Sequence, residues 1–238
     1  MNAGLILHCG CESVTLNDLI DVPTPKPTET WRPVSHFEVA NRIKEEAENR
    51  GMKIAKEEYG ISPDKNRIYA YLNFDDGGNP EYSRSLAWRN SHSKTFALTM
   101  AIGVQVFVCD NNCIAGDIQT TRRRHTSGID IDSFIPQVFS TFPERYEKLE
   151  KNIIAMKETR ITDDVARIII VQCAEVDAIP SCDIVPVLKE YFEPRHQEFS
   201  ERNLWSLYNG VTEVAKKYVP SRGIKCYNRL SEVFGLQK

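Results

Sequence analysis

A change of hydrophobic period divides this chain. Ahead of the loop Arg122-Arg123-Arg124-His125-Thr126-Ser127-Gly128, apolar side chains recur mostly every second residue, as in Ile68, Ala70, Leu72 and Phe74. Behind it they recur every third or fourth, as in Leu204, Leu207, Tyr208, Val211, Val214, Ala215 and Tyr218. The first pattern builds a sheet with one apolar face, the second amphipathic helices. Strands grouped before helices argue for the α+β class: a small antiparallel β-sheet with N-terminal and crossing helices, followed by a helical C-terminal half. With 238 residues there is material for one generous core or two small ones. The organisation expected is an N-terminal segment with a Pro-rich connector over 1–34, an α+β core over 35–128, and a helical region packed on that core over 129–238.

Local signals refine this outline. Pro23, Pro25, Pro27 and Pro33 make 21–34 an extended strap. Ser35 and Glu38 form a capping box, Val34 and Val39 occupy the staple positions, and Gly51 ends the helix between them. Strands are expected over 52–58, 67–74 and 82–88, with the turn Asp75-Asp76-Gly77-Gly78-Asn79-Pro80 between the last two. Phe96, Ala97, Met100 and Ala101 give 93–103 a helical period, with Ser93 as cap and Gly103 as stop. Strands follow over 104–109 and 113–121. Helices are then expected over 134–158, from Thr162 to about 176, and over 183–192, 204–218 and 228–234.

Composition excludes some classes of function. No run of about 18 apolar residues exists, so no membrane span is expected, and the first residues lack a secretory pattern, so the default is the cytoplasm. Seven scattered cysteines suggest reduced thiols serving as small buried hydrophobes. Cys9-x-Cys11 and Cys109-x3-Cys113 have the wrong spacing for a zinc ribbon or knuckle, so no metal or other cofactor is expected. Between Arg84 and His125 lie six basic and two acidic residues, a local excess of four positive charges in a chain of formal net charge −3. Such a segment suits a localised anionic partner, or reflects only where loops fall.

The chemistry-bearing residues crowd the same region. Arg89, Asn90, His92 and Lys94 precede the expected helix start at Ser93, where amides and side chains together hold an anion, phosphate above all. The alternative is that Arg89 pairs with Asp110 or Asp117. Arg122, Arg123, Arg124 and His125 suit a nucleic-acid backbone or a solvated loop. Trp88, Phe96 and Phe107 offer stacking surfaces or belong to the core. His92, Asp110, Asn111 and Asp117 are a conceivable metal set, and Cys109 with His92 a conceivable nucleophile and base. No HExxH, P-loop, GxSxG or dinucleotide pattern occurs, and no catalytic residue is assigned. His8 and His36 lie near capping regions with no partner in sequence, and His196 reads as a loop residue.

Arg89-Asn90-Ser91-His92-Ser93-Lys94-Thr95, followed by Val106-Phe107-Val108-Cys109-Asp110-Asn111, resembles the phage/plasmid-like proteins grouped as domain of unknown function 932. In that family an Arg/Thr-Asn/x-Ser-His-Asp-Lys/Gly-Ser element precedes a Val-x-Val-Cys-x-Asn element. Leu204-Trp205-Ser206-Leu207-Tyr208-Asn209-Gly210-Val211-Thr212-Glu213 resembles its Trp-x-Leu-Tyr-Asn-Ala-x-Thr-Glu, and the connector with Pro25 and Trp31-Arg32-Pro33 also fits. Ser93 stands where an aspartate is common; if that aspartate served a metal, its replacement counts against an enzyme. The resemblance implies a mobile-element setting in a bacterial host and no established activity. The order of three strands and a helix ahead of a basic loop is similar to the core of Rad52-type single-strand annealing proteins, which form rings with DNA in a basic groove. That likeness implies a homo-oligomer, with Trp205, Tyr208, Asn209 and Glu213 at the protomer core or contact face; as i, i+4 neighbours, Asn209 and Glu213 suit a hydrogen bond to a buried backbone or Arg89.

Three classes of function stay open. The first is single-stranded DNA binding in annealing or recombination, through Arg89, Asn90, His92, Lys94 and Arg122–His125. The second is an anti-defence or host-takeover factor that binds a host protein. The third is a metal-dependent nuclease or hydrolase.

Overall fold

A computed structural model describes residues 11–75, 81–106, 111–114, 120–218 and 220–235. The chain forms two compact units. The first takes the described residues of Met1–Asn79, Ser83–Ile102 and Thr120–Pro143, and the second those of Pro80–Tyr82, Gly103–Gln119 and Glu144–Lys238.

The strands are β1 (Glu12–Val14), β2 (Lys53–Ile61), β3 (Arg67–Asp75), β4 (Tyr82–Ser91), β5 (Leu98–Val106), β6 (Asn111–Ile114) and β7 (Thr120–Arg123). They form one open sheet in the order β1-β2-β3-β4-β5-β6, with β7 also on β5. β7 pairs with Leu98–Ala101 and β6 with Gly103–Val106, so the two take successive stretches of one strand. A bulge interrupts the β2–β3 ladder between Ile54 and Lys56.

In the first unit the alternation of β3 to β5 puts one row of apolar side chains on a common face. Ile68, Ala70, Leu72 and Phe74 on β3, Leu86 and Trp88 on β4, and Leu98, Met100 and Ile102 on β5 are all buried. Register puts Ala70 opposite Trp88 and Leu72 opposite Leu86, so these rows share a face. The same unit contains α1 (His36–Asn49) and α2 (Ile131–Ser140), whose Val39, Ala40, Ile43, Ala47, Ile135 and Phe139 are buried.

α1 begins where the capping box placed it: the Ser35 hydroxyl accepts from the Glu38 N–H at 3.4 Å, and both staple valines are buried. It ends at Gly51 with φ +69°, the left-handed conformation that an L side chain resists. Gly51→Ala should therefore cost about 1 kcal/mol in urea unfolding through backbone strain alone, since no atom lies within 4 Å of the added Cβ. An unchanged midpoint would mean that the turn relaxes.

The remaining helices are α3 (Phe142–Glu158), α4 (Asp163–Glu175), α5 (Ile184–Phe192), α6 (Leu204–Ala215) and α7 (Pro220–Val233). In the second unit Leu149, Ile153, Ile170, Cys173, Val187, Leu207, Tyr208, Val211, Cys226 and Leu230 form one core cluster. Thr162 caps α4 as expected, accepting from the Val165 N–H. No helix among the described residues is long and apolar enough to cross a membrane.

Four expectations are corrected. The segment 93–103 is not a helix: a turn carries the chain from β4 into β5, with Lys94 at φ +60°. Leu98, Met100, Ile102 and Val104 are buried with period two, and that longer alternation overrides the short helical pattern of Phe96, Ala97, Met100 and Ala101. The single helix over 134–158 is two, broken at Thr141 ahead of Pro143, which sits in the first turn of α3 where no N–H is needed. The strand over 113–121 is likewise two short ones. At the C-terminus α6 stops at Ala215, and α7 is longer than the brief element expected. The turn at 76–80 lies outside the described residues.

Candidate functional site

Two basic residues of the first unit, Arg89 and Arg122, lie on the second face of the sheet. Tyr69 on β3 is directly opposite Arg89 on β4, and Thr99 on β5 is directly opposite Arg122 on β7. The Arg89 Nε donates to the Thr99 Oγ1 at 3.4 Å, which joins the two pairs into one row: Tyr69, Arg89, Thr99, Arg122. Arg67, two residues before Tyr69, shares this face. Phe96, in the turn before β5, sits over the row, its ring centroid 4.7 Å from the Arg89 guanidinium carbon and 5.6 Å from the Tyr69 ring.

Arg89 is half-buried, and its pKa is lowered first by that burial and further by the Arg122 charge beside it, against an opposing effect of Tyr69. None of the partners described for Arg89 is a carboxylate. The Arg122 charge is near enough to act on Arg89, and an anion near both is attracted by both.

Asn90 and His92 lie elsewhere. Alternation sends the Asn90 side chain to the opposite face from Arg89, and it is fully buried, opposite Ile68 in the ladder. Its Nδ2 donates to the Val34 carbonyl at 2.8 Å and to the His36 Nδ1 at 3.0 Å, while its Oδ1 accepts from the His125 Nε2 at 2.7 Å. The His92 Nε2 donates to the same Val34 carbonyl at 2.9 Å, and the His92 and His36 rings stack at 3.7 Å, 2° from parallel. Because the His36 Nδ1 accepts, its proton is on Nε2, which donates to the Lys65 carbonyl at 3.3 Å.

These bonds tie the connector, the start of α1, the β2–β3 turn, β4 and the loop after β7 into one buried knot. Burial and its neighbouring imidazoles push the His36 pKa down to about 3, with the Lys65 carbonyl opposing. Burial lowers His92 and His125 as well. All three are neutral, and His92 keeps one buried nitrogen, Nδ1, without a partner.

The expected site therefore splits. Asn90, His92 and His125 are not at an anion-binding rim: they are buried beside the start of α1, and no helix begins at Ser93. Of the conceivable metal set, His92 donates its Nε2 to Val34 and Asp110 and Asp117 lie outside the described residues, among which no group of three or more His, Cys, Asp or Glu is placed to hold a metal. His36, set aside in the sequence as partnerless, is a member of the knot.

The other positively charged residues are at the surface. Lys94 is exposed with its ammonium 4.8 Å from the Trp31 ring centroid, beside a hydroxyl cluster of Ser91, Ser93 and Thr95. Arg122, Arg123 and Arg124 are exposed, and Arg123 donates to the Gly128 carbonyl at 3.5 Å. Trp88 is buried on the apolar face, 3 % exposed, which removes it as a stacking surface, whereas Phe96 and Tyr69 stay half-exposed.

Cys9, Phe107, Cys109, Asp110 and Asp117 lie outside the described residues. Asn111 is opposite Val106 at the start of β6. The buried thiols of Cys173 and Cys226 are both pushed up to about 12 by burial, and neither they nor Cys182 form a disulfide.

Trp205, Asn209 and Glu213 belong to α6 in the second unit. Trp205 and Asn209 are buried, and the Asn209 Nδ2 donates to the Trp205 carbonyl at 2.9 Å, one turn back. Glu213 pairs with Arg195 at 3.3 Å and Lys216 at 2.6 Å, where Arg89 had been suggested.

A family model described as "Domain of unknown function (DUF932)" matches residues 26–233. No curated protein and no solved structure matches the chain.

Proposed function

The chain belongs to the domain-of-unknown-function 932 family, and from that premise and the sheet geometry we propose that it binds single-stranded nucleic acid. The observation that supports this is the row Tyr69, Arg89, Thr99, Arg122: two neighbouring guanidiniums on one sheet face, with half-exposed aromatic rings beside them. Arg89, Lys94, Arg122, Arg123 and Arg124 engage the phosphates, and strand annealing or recombination in a phage or plasmid is the setting in which such binding serves. Annealing also calls for several protomers along one strand, so the reading includes a homo-oligomer. It rests on the chemistry of the sheet face, because the helix that suggested a likeness to Rad52-type proteins is replaced by β5.

A gel shift with a short single strand across a salt series tests the proposal. Five phosphate contacts predict that log K falls against log salt with a slope of roughly −3 to −4, about 0.7 per contact. Absence of binding at low salt, or binding indifferent to salt, would overturn it. Light scattering on the same sample decides the annealing part: a multi-protomer assembly supports it and a monomer ends it.

A second reading, binding of a host protein, is favoured by the outward face of α4, where Val165, Ile168 and Val171 are 40 %, 56 % and 44 % exposed at successive i, i+3 positions. A host complex that survives nuclease treatment and triple alanine substitution at Arg122–Arg124 would favour it over the first.

A further inference from the structure

We infer that Phe96 and Tyr69, braced by Arg89, form a stacking platform for an unpaired nucleobase, a deepening that rests on the nucleic-acid reading above. The other large aromatics near this sheet are used differently. Tyr59 and Trp88 are at most 3 % exposed on the apolar face and meet edge to face at 6.3 Å. Phe96 and Tyr69 instead lie on the polar face and keep part of their rings in contact with solvent.

Their mutual geometry suits the role. The two rings are 5.6 Å apart and tilted by 46°, so they form a shallow, two-sided surface instead of a closed pair. The Arg89 guanidinium, 4.7 Å from the Phe96 centroid, fixes that ring by cation–π attraction and is itself fixed by Thr99. A base stacking on this platform brings its own phosphate towards Arg89 and Arg122, which lie in the next positions of the same row.

A phenyl ring offers no hydrogen-bond pattern, so the platform accepts any base that presents a free face, and a paired base inside a duplex presents none. The platform thereby selects single strands over double strands without reading sequence. Arg122, Arg123 and Arg124 supply charge to either form alike.

The test compares an oligothymidine with an abasic strand of equal length, at one salt concentration, by fluorescence anisotropy. The wild-type chain should bind the oligothymidine on the order of tenfold more tightly than the abasic strand. Phe96→Leu, which keeps an apolar side chain in the turn, should lower oligothymidine affinity to the abasic level and leave the abasic affinity and salt slope unchanged. Phe96→Trp should retain the preference. Triple alanine substitution at Arg122–Arg124 should weaken both strands by at least tenfold while keeping their ratio.

Equal wild-type affinity for the two strands overturns the platform and leaves nucleic-acid binding standing. Binding to neither overturns both. A Phe96→Leu chain with a wild-type preference also overturns the platform, and urea unfolding of that variant separates a lost platform from a lost fold.

Discussion

Replacing Asn90 by alanine is expected to remove about 3 kcal/mol of stability, the largest single-residue loss anticipated here. Its amide is fully buried and makes three hydrogen bonds, to Val34, His36 and His125. Alanine leaves the His125 Nε2–H in the interior without an acceptor, at a desolvation cost of about 1–3 kcal/mol, and opens a cavity where the amide was. It also unties the connector from β4, since one of the two donors to the Val34 carbonyl is Asn90. Urea unfolding followed by tryptophan fluorescence should show the shift, with a fall in Tm of roughly 6–12 °C for a chain of this size. A loss below about 1 kcal/mol would mean that the knot is not cooperative.

Mild acid should destabilise the first unit through the same residues. His36, His92 and His125 are held neutral in the fold, with values below the ordinary 6.5, His36 at about 3. The unfolded chain therefore binds protons that the folded chain refuses. Stability is at its full value above about pH 6.5 and falls as pH drops below it.

His36 alone contributes a slope of about 1.4 kcal/mol per pH unit in that range. His92 and His125 add to it in the same direction. The carboxylates held low act further down: Asp64, whose bonds to Ser62 and Asn66 pull it to about 2, loses its contribution only below about pH 4. Between about pH 6.5 and 4.5 the decline thus belongs to the histidines. Urea midpoints at about pH 8 and 5.5 should differ accordingly, and His36→Gln should flatten the profile. A wild-type profile that is level across this window would contradict the neutral assignment.

Much of this architecture was legible in the residues, and the failures have physical causes. The capping box at Ser35 and Glu38 is a local device, so it could be read without knowing what α1 packs against. In 93–103 the helical spacing of Phe96, Ala97, Met100 and Ala101 competes with an alternation, Leu98, Met100, Ile102 and Val104, that starts midway through the segment and runs past its end. Arg89 and Arg122 were both singled out, but not as neighbours, since their adjacency is set by the ladders β4–β5 and β5–β7, and register leaves no mark in sequence. Tyr69 was missed for the same reason. His92 and His125 were singled out as chemistry and proved to be interior. One step along a strand reverses the face, and the sequence alone did not say which of Arg89 or Asn90 pointed outward.

The split pairing along β5 has a consequence for how the chain tolerates change. Arg122 is placed beside Thr99 by four β5–β7 rungs, from Leu98↔Arg123 to Ala101↔Thr120, and Gly103 already belongs to the β6 ladder. The position of the basic row is thus indexed from the Leu98 end of the strand, by rungs separate from those of the β5–β6 ladder. A change confined to the β5–β6 rungs would leave in place the rungs that set Arg122 opposite Thr99.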